Sequence, residues 1–248
     1  KFQKIIWAMR AIILSAGRGR RLPKHLSLKP KVLLKIGNKT ILEKQIKNFE
    51  LMGIKKIALV TGYNSRYLNK LNLKCFHNRK WSTTNMVFSL TKADSWLKKY
   101  KCIVSYGDIL YEKKALKNLI NNKNKIAISY DVNWRDLWKK RFKNIFSDAE
   151  TFKVKGGLIK EIGKKTDSIR NIDGQYMGLM KFNPSGWNIL KRCLKKEFKG
   201  KYQKLYLTDI FQRLIEINSQ IYGVKFKGKW AEVDSLKDYN IMKKIFLK

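Results

Sequence analysis

Ala11-Ile12-Ile13-Leu14-Ser15-Ala16-Gly17-Arg18-Gly19-Arg20-Arg21-Leu22-Pro23 decides the fold. Its first half is a short, unbroken apolar run, the pattern of a strand covered on both faces. Its second half is a turn with two glycines. Similar runs recur at residues 56–61 (Lys-Ile-Ala-Leu-Val-Thr), 102–106 (Cys-Ile-Val-Ser-Tyr) and 125–130 (Lys-Ile-Ala-Ile-Ser-Tyr). Between them, Ile41, Ile46, Phe49 and Met52 recur at helical spacing, with Gly53 as the stop. Met86, Val87, Leu90, Ala93 and Leu97 predict a second helix, opening after Thr83-Thr84, and residues 113–120 a third. Strand and helix alternating in this way predict an α/β fold, a doubly wound, Rossmann-like, mostly parallel sheet flanked by helices.

The second half of the chain changes character. Gly156-Gly157 between two β-rich runs is a hairpin signal, so a small antiparallel β insertion is expected there. A strand at 176–182, a helix opened by Pro184, a helix at 205–217, a strand at 221–226 and a closing helix capped by Ser235 follow. Residues 1–9 are expected to be an N-terminal extension and 10–248 one domain.

With 248 residues, 44% of them hydrophobic, the chain can bury a sizeable core. Its net charge is +38, but Lys outnumbers Arg 45 to 11 and the lysines divide evenly between the two halves. A scattered lysine excess describes a solvated surface better than a nucleic-acid footprint, which favours clustered Arg. The field would still attract small anions. Cys75, Cys102 and Cys193 lie far apart without metal-ligand spacing, arguing against a zinc site or disulfide framework. No apolar stretch reaches membrane-spanning length, and the chain reads as cytoplasmic.

Gly17 and Gly19 let the backbone approach a phosphate, and Arg18, Arg20, Arg21 and Lys31 supply positive charge around them. The segment is neither a dinucleotide fingerprint, because Leu22 replaces the third glycine, nor a Walker loop, because no Gly-Lys-Ser/Thr follows. Asp108 follows the strand ending at Tyr106 and so falls at the same carboxyl edge of the sheet, where a carboxylate suits a hard cation on nucleotide phosphates. Taken singly, Asp108 reads equally as a turn residue and Asp234 as a surface acid before a helix.

Together these segments resemble the sugar-phosphate nucleotidyltransferases, and among them the phosphocholine cytidylyltransferase group. Residues 16–22 are similar to that family's A-G-x-G-[ST]-R-[LM] signature, with Arg20 where Ser or Thr is commonest, and Lys29-Pro30-Lys31 is similar to its K-P-K. Val60-Thr61-Gly62-Tyr63-Asn64, residues 84–90, Tyr106-Gly107-Asp108-Ile109, residues 174–178 and Trp230-Ala231-Glu232-Val233-Asp234 continue the resemblance in the family's order.

The resemblance implies that residues 10–130 form a nucleotide-binding half and 131–248 an acceptor-binding half. Asp108 and Asp234 would hold Mg2+, Arg21 and Lys31 the nucleotide phosphates, and Lys164 the acceptor's phosphate. Leu14, Ala16, Gly17, Arg18, Gly19, Gly62, Asn85 and Ser89 are the candidates for nucleotide contacts. Trp134 and Trp138, four residues apart on one helical face, form with Tyr176 a candidate aromatic cage for an acceptor ammonium, with Asp131 or Asp136 adding charge, although such a Trp pair more often belongs to a protein core or a partner interface.

The expected partners are CTP and a small phosphorylated acceptor: phosphocholine-like, an aminophosphonate, or a phosphorylated amino acid such as phosphoglutamine, used to decorate capsular or other surface polysaccharide. A sugar-1-phosphate nucleotidyltransferase using UTP, dTTP or GTP is the alternative, a basic nucleic-acid-binding protein or a catalytically silent relative the more distant ones, and homo-oligomerisation is left open. All of this requires the two-glycine turn, Asp108 and Asp234 to meet in one pocket.

Overall fold

The computed structural model describes residues 9 to 247, so all of the expected extension except Met9 lies outside the described residues. The strands in chain order are β1 (Arg10–Ser15), β2 (Lys35–Ile36), β3 (Lys39–Thr40), β4 (Ile57–Thr61), β5 (Lys74–His77), β6 (Cys102–Tyr106) and β7 (Ile109–Tyr111). They continue with β8 (Ile126–Asp131), β9 (Glu150–Lys155), β10 (Leu158–Lys165), β11 (Gln175–Phe182), β12 (Tyr222–Phe226) and β13 (Trp230–Glu232). Nine of them form one sheet in the order β5-β4-β1-β6-β11-β8-β12-β10-β9.

β1, β4 and β6 pair in parallel, as their continuous apolar runs predict, and β5 adds a fourth parallel strand on β4; every residue of β4 is buried, because helices cover both faces. β8 runs in the same direction but does not adjoin β6. Antiparallel β11 lies between them, so the large sheet is mixed. The hairpin of β9 and β10 turns at Gly156 (φ +59°) and Gly157 (φ +75°), the two consecutive left-handed positions of a tight hairpin turn.

Side-chain caps set the helix starts that matter for the site. The helix Ile41–Leu51 opens with a reciprocal cap, Thr40 Oγ1 accepting from the Glu43 amide and Glu43 Oε2 from the Thr40 amide. Ser235 and Asp238 cap Leu236–Phe246 in the same way. The helix expected across residues 86–97 is split into Met86–Thr91 and Asp94–Leu97. Thr91 Oγ1 donates to the Phe88 carbonyl at 2.7 Å, and the amides of Lys92 and Ala93 bond three residues back, which tightens and ends the first segment.

Candidate active site

The nucleotide-side elements converge at the carboxyl edge of β1, β4 and β6, on a cleft of about 480 Å³. Leu14, Ala16, Gly17, Arg18, Gly19 and Arg21 line one wall. Asn85 and Ser89 line another, together with Trp81 and Thr84. Lys31, Asp108 and Asp234 line it as well.

Two elements remote in sequence bring the acids together. β7 directly follows Asp108 and pairs antiparallel with β13, Ile109 opposite Glu232. The Val233 amide then donates to the Asp108 carbonyl at 2.9 Å, setting Asp108 beside Asp234 across 126 residues of chain. The Lys31 ammonium gives two of its three protons to this pair, to Asp108 Oδ2 at 2.6 Å and Asp234 Oδ1 at 2.9 Å, and the third to the Val233 carbonyl at 2.8 Å. Arg21 Nη2 reaches the same Asp234 oxygen at 2.9 Å.

Burial alone would lower the Lys31 pKa, but Asp108 and Asp234 outweigh it and hold the ammonium well above the usual lysine value. Burial likewise opposes ionisation of Asp234, and Lys31, Arg21 and Arg141 overcome it, keeping that carboxyl below its ordinary range. The centre therefore holds its charges in place before any ligand arrives.

Residues 11–144 match the family model described as "MobA-like NTP transferase domain". The chain is 36% identical over 250 residues to the CTP:phosphoglutamine cytidylyltransferase of Campylobacter jejuni, covering 94% of this chain and 98% of that protein. The chain belongs to the MobA-like NTP transferase family. It is a nucleotidyltransferase. The choline-phosphate cytidylyltransferase of Streptococcus pneumoniae is 25% identical over 96% of this chain and 98% of its own length. A solved inositol-1-phosphate CTP transferase from T. maritima shares the fold at a TM-score of 0.74 and 22% identity, with 96% of each chain covered.

The nucleotidyltransferase centre has a donor set that fits a magnesium ion. Asp108 and Asp234 already share one cation, the Lys31 ammonium, and both offer hard carboxylate oxygens. Among the described residues no group of three or more His, Cys, Asp or Glu is arranged to hold a metal alone.

On the nucleobase side, the candidates are partly committed to the scaffold. Asn85 lines the cleft, but its amide group donates to the Lys204 carbonyl at 3.0 Å and its backbone N–H to the Gln203 carbonyl. Ser89 Oγ accepts from fully buried Asn78, which also donates to Thr84 Oγ1, each at 3.0 Å. Gly62 lies beneath the cleft: a Cβ there would stand 2.5 Å from Trp81 Cβ and 2.7 Å from the Ala16 carbonyl oxygen. Trp81, whose ring meets Tyr63 edge-on at 5.2 Å, carries no motif that sets it apart in the sequence. Its only local signal was an aromatic just before the Thr83-Thr84 helix start.

The acceptor-side expectations need correction. Trp134 and Trp138 are 1% and 3% exposed and pack into the core, Trp138 with its ring 6.1 Å from that of Trp230. Asp131 is also buried, Oδ2 accepting from Trp230 Nε1 at 2.8 Å and Oδ1 from the Asn133 amide at 2.9 Å. These three residues form no ligand cage, because an apolar i, i+4 face of this size is most stable packed against the sheet. Tyr176 stands one ring behind the cleft, edge-on to the cleft-lining Tyr106 at 5.8 Å. Lys164 is exposed on β10, 3.3 Å from Glu161, and does not line the cleft.

Proposed function

We propose that this nucleotidyltransferase is a Mg-dependent cytidylyltransferase that moves CMP from CTP to a small phosphorylated acceptor of the phosphoglutamine type, releasing pyrophosphate. The meeting of Lys31, Asp108 and Asp234 against the two-glycine loop is the observation that carries the reading. The choice of CTP and acceptor is supported by the similarity to the Campylobacter jejuni enzyme. Residues 10–130 supply most of the nucleotide side and 131–248 most of the acceptor side. The reaction would take place in the cytoplasm, and its CDP-linked product would serve the decoration of surface polysaccharide.

In the reaction, an acceptor phosphate oxygen attacks the α-phosphorus, the bond to the bridging oxygen of the β-phosphate breaks, and pyrophosphate leaves. The acceptor phosphate is largely dianionic near pH 7, so no side chain must remove a proton. The protein's task is to align the reactants and neutralise charge. The amides of residues 16–19, which line the cleft, would meet the phosphates, Arg21 and Lys31 would compensate their charge, and Lys31 is the cation nearest the acids that would hold Mg2+. Bound magnesium would supply further charge neutralisation at the phosphates, through Asp108 and Asp234.

The test is pyrophosphate release and product mass with CTP, UTP, dTTP and GTP against phosphoglutamine, phosphocholine, an aminophosphonate and sugar 1-phosphates. CTP with an amino-bearing phosphate is expected to react, and Asp108→Asn to lower kcat at least about 100-fold without unfolding the protein. Turnover of UTP or dTTP with a sugar 1-phosphate, and none of CTP, would overturn the cytidylyl assignment.

A further inference from the structure

Arg141 ends the helix Trp134–Arg141, and nothing in its sequence neighbourhood marks it as functional. Its side chain is 1% exposed, the carboxylates within 4 Å of it come from one short segment, residues 232–238, and Asp148 adds a more distant negative charge. Nε donates to Asp238 Oδ1 at 2.9 Å, Nη1 donates to Glu232 Oε1, and Nη2 lies 3.6 Å from Asp234 Oδ2. The rings of Trp138 and Phe142 flank the guanidinium, with centroids at 5.0 and 4.9 Å. The tryptophan that binds no ligand therefore helps hold this cation.

The contacts extend into the main chain at Asp234. Asp238 Oδ2, the oxygen Arg141 leaves free, accepts from the amides of Asp234 (3.2 Å) and Ser235 (2.9 Å) and from Ser235 Oγ (2.8 Å). Lys237 Nζ ties back to the Arg141 carbonyl at 2.7 Å. Arg141 thus grips the residue two before Asp234 and the residue four after it, while Asp238 grips the backbone of Asp234 itself. At 3.6 Å, Arg141 Nη2 is too distant to donate a hydrogen bond to Asp234, so it attracts the carboxylate without taking up its oxygen. A buried guanidinium carries five N–H donors and needs several acceptors. Here it lies among three carboxylates, the central one being in the active site.

We infer that Arg141 is a positioning residue, fixing the Asp234 carboxylate in the orientation in which it and Asp108 share one cation. This rests on the reading that the two acids hold the nucleotide's metal. Lysine at this position keeps the charge but loses the planar fork that joins Glu232 to Asp238. The Asp234 carboxylate would then swing, and the effect would fall on metal affinity before it fell on nucleotide or acceptor binding.

The test is Mn2+ binding, followed by electron paramagnetic resonance with a non-hydrolysable CTP analogue present, in wild type, Arg141→Lys, Arg141→Met and Asp234→Asn. Thermal unfolding and the Mg2+ dependence of kcat and KM accompany it. Arg141→Lys is expected to weaken Mn2+ binding about 10-fold and Arg141→Met more, within the 10–100-fold range typical of residues that orient metal ligands. Excess Mg2+ should restore much of kcat in Arg141→Lys with the acceptor KM unchanged. Wild-type Mn2+ affinity in both Arg141 variants, with only a lower unfolding temperature, would reduce the residue to a structural role. Should Arg141→Met fail to fold, Asp238→Asn interrupts the same chain of contacts and must also weaken Mn2+ binding. Unchanged Mn2+ binding in Asp234→Asn would instead overturn the metal assignment itself, and this inference with it.

Discussion

Gly19 lies against the stem of Lys31: a Cβ at Gly19 would stand 2.8 Å from Lys31 Cγ and 3.2 Å from its Cδ and Cε. The glycine therefore serves two ends, the backbone turn (φ +69°) and the passage of Lys31 from the loop to the acids. Gly19→Ala should push Lys31 off its line. We expect about 1–2 kcal/mol of lost stability from the left-handed backbone and a fall in kcat of about 100-fold from the displaced ammonium. Steady-state kinetics beside chemical denaturation checks this, and wild-type kcat would refute the shared role.

Gln45 is fully buried, and its Nε2 donates to the Tyr106 carbonyl at 2.9 Å and the Ile109 carbonyl at 2.6 Å, on either side of Asp108. Gln45→Met keeps the volume but leaves both carbonyls without this donor. A loss of about 1–3 kcal/mol is expected, together with a raised Mg2+ requirement as the turn carrying Asp108 loosens. Urea unfolding and an Mg2+ titration of activity measure the two effects, and a normal Mg2+ curve would confine Gln45 to stability.

Trp134 and Trp138 provide a test of core against ligand cage. Trp134→Ala should cost about 3–5 kcal/mol as a core truncation. Trp138→Phe, which keeps a ring in the cluster, should leave the acceptor KM within about 2-fold of wild type, since the side chain is not at the cleft. An acceptor KM raised tenfold in a stable Trp138→Phe protein would contradict the burial argument.

Glu150 gives a pH signature. Burial, with Asp148 and Asp209 nearby, pushes its carboxyl from the ordinary 4.5 up to about 7. Between those values the folded chain keeps a proton that the unfolded chain has released, so this group's contribution to stability falls as pH rises through the window. Glu150→Gln abolishes that loss. The variant should gain on wild type between about pH 4.5 and 7, by about 1–3 kcal/mol in all, and by a constant amount at higher pH. Denaturation curves at pH 5 and pH 8 decide it, and a difference independent of pH would show that Glu150 does not titrate in this way.

Several features were legible because they are local. The apolar runs of β1, β4 and β6, the Gly156-Gly157 turn and the Ser235 cap each depend on a few consecutive residues, and each formed where the pattern put it. The two-glycine loop lines the cleft because a loop at the carboxyl end of β1 is bound to reach that sheet edge. The Trp134 and Trp138 periodicity was equally clear as a helix face, but periodicity cannot tell a face that packs on the core from one that packs on a ligand.

By itself the sequence determined an α/β sheet, a phosphate-suited loop with Lys31 close behind it, and a carboxylate at Asp108 beyond the end of β6. Only the tertiary structure decided that β11 would separate β6 from β8, that β7 and β13 would bring Asp108 to Asp234, and that Arg141 would face that junction. The physical reason is range. Strand type, turns and caps are set by steric and hydrogen-bonding preferences over a few residues, whereas pairings across a hundred residues depend on which faces of the whole chain bury best together.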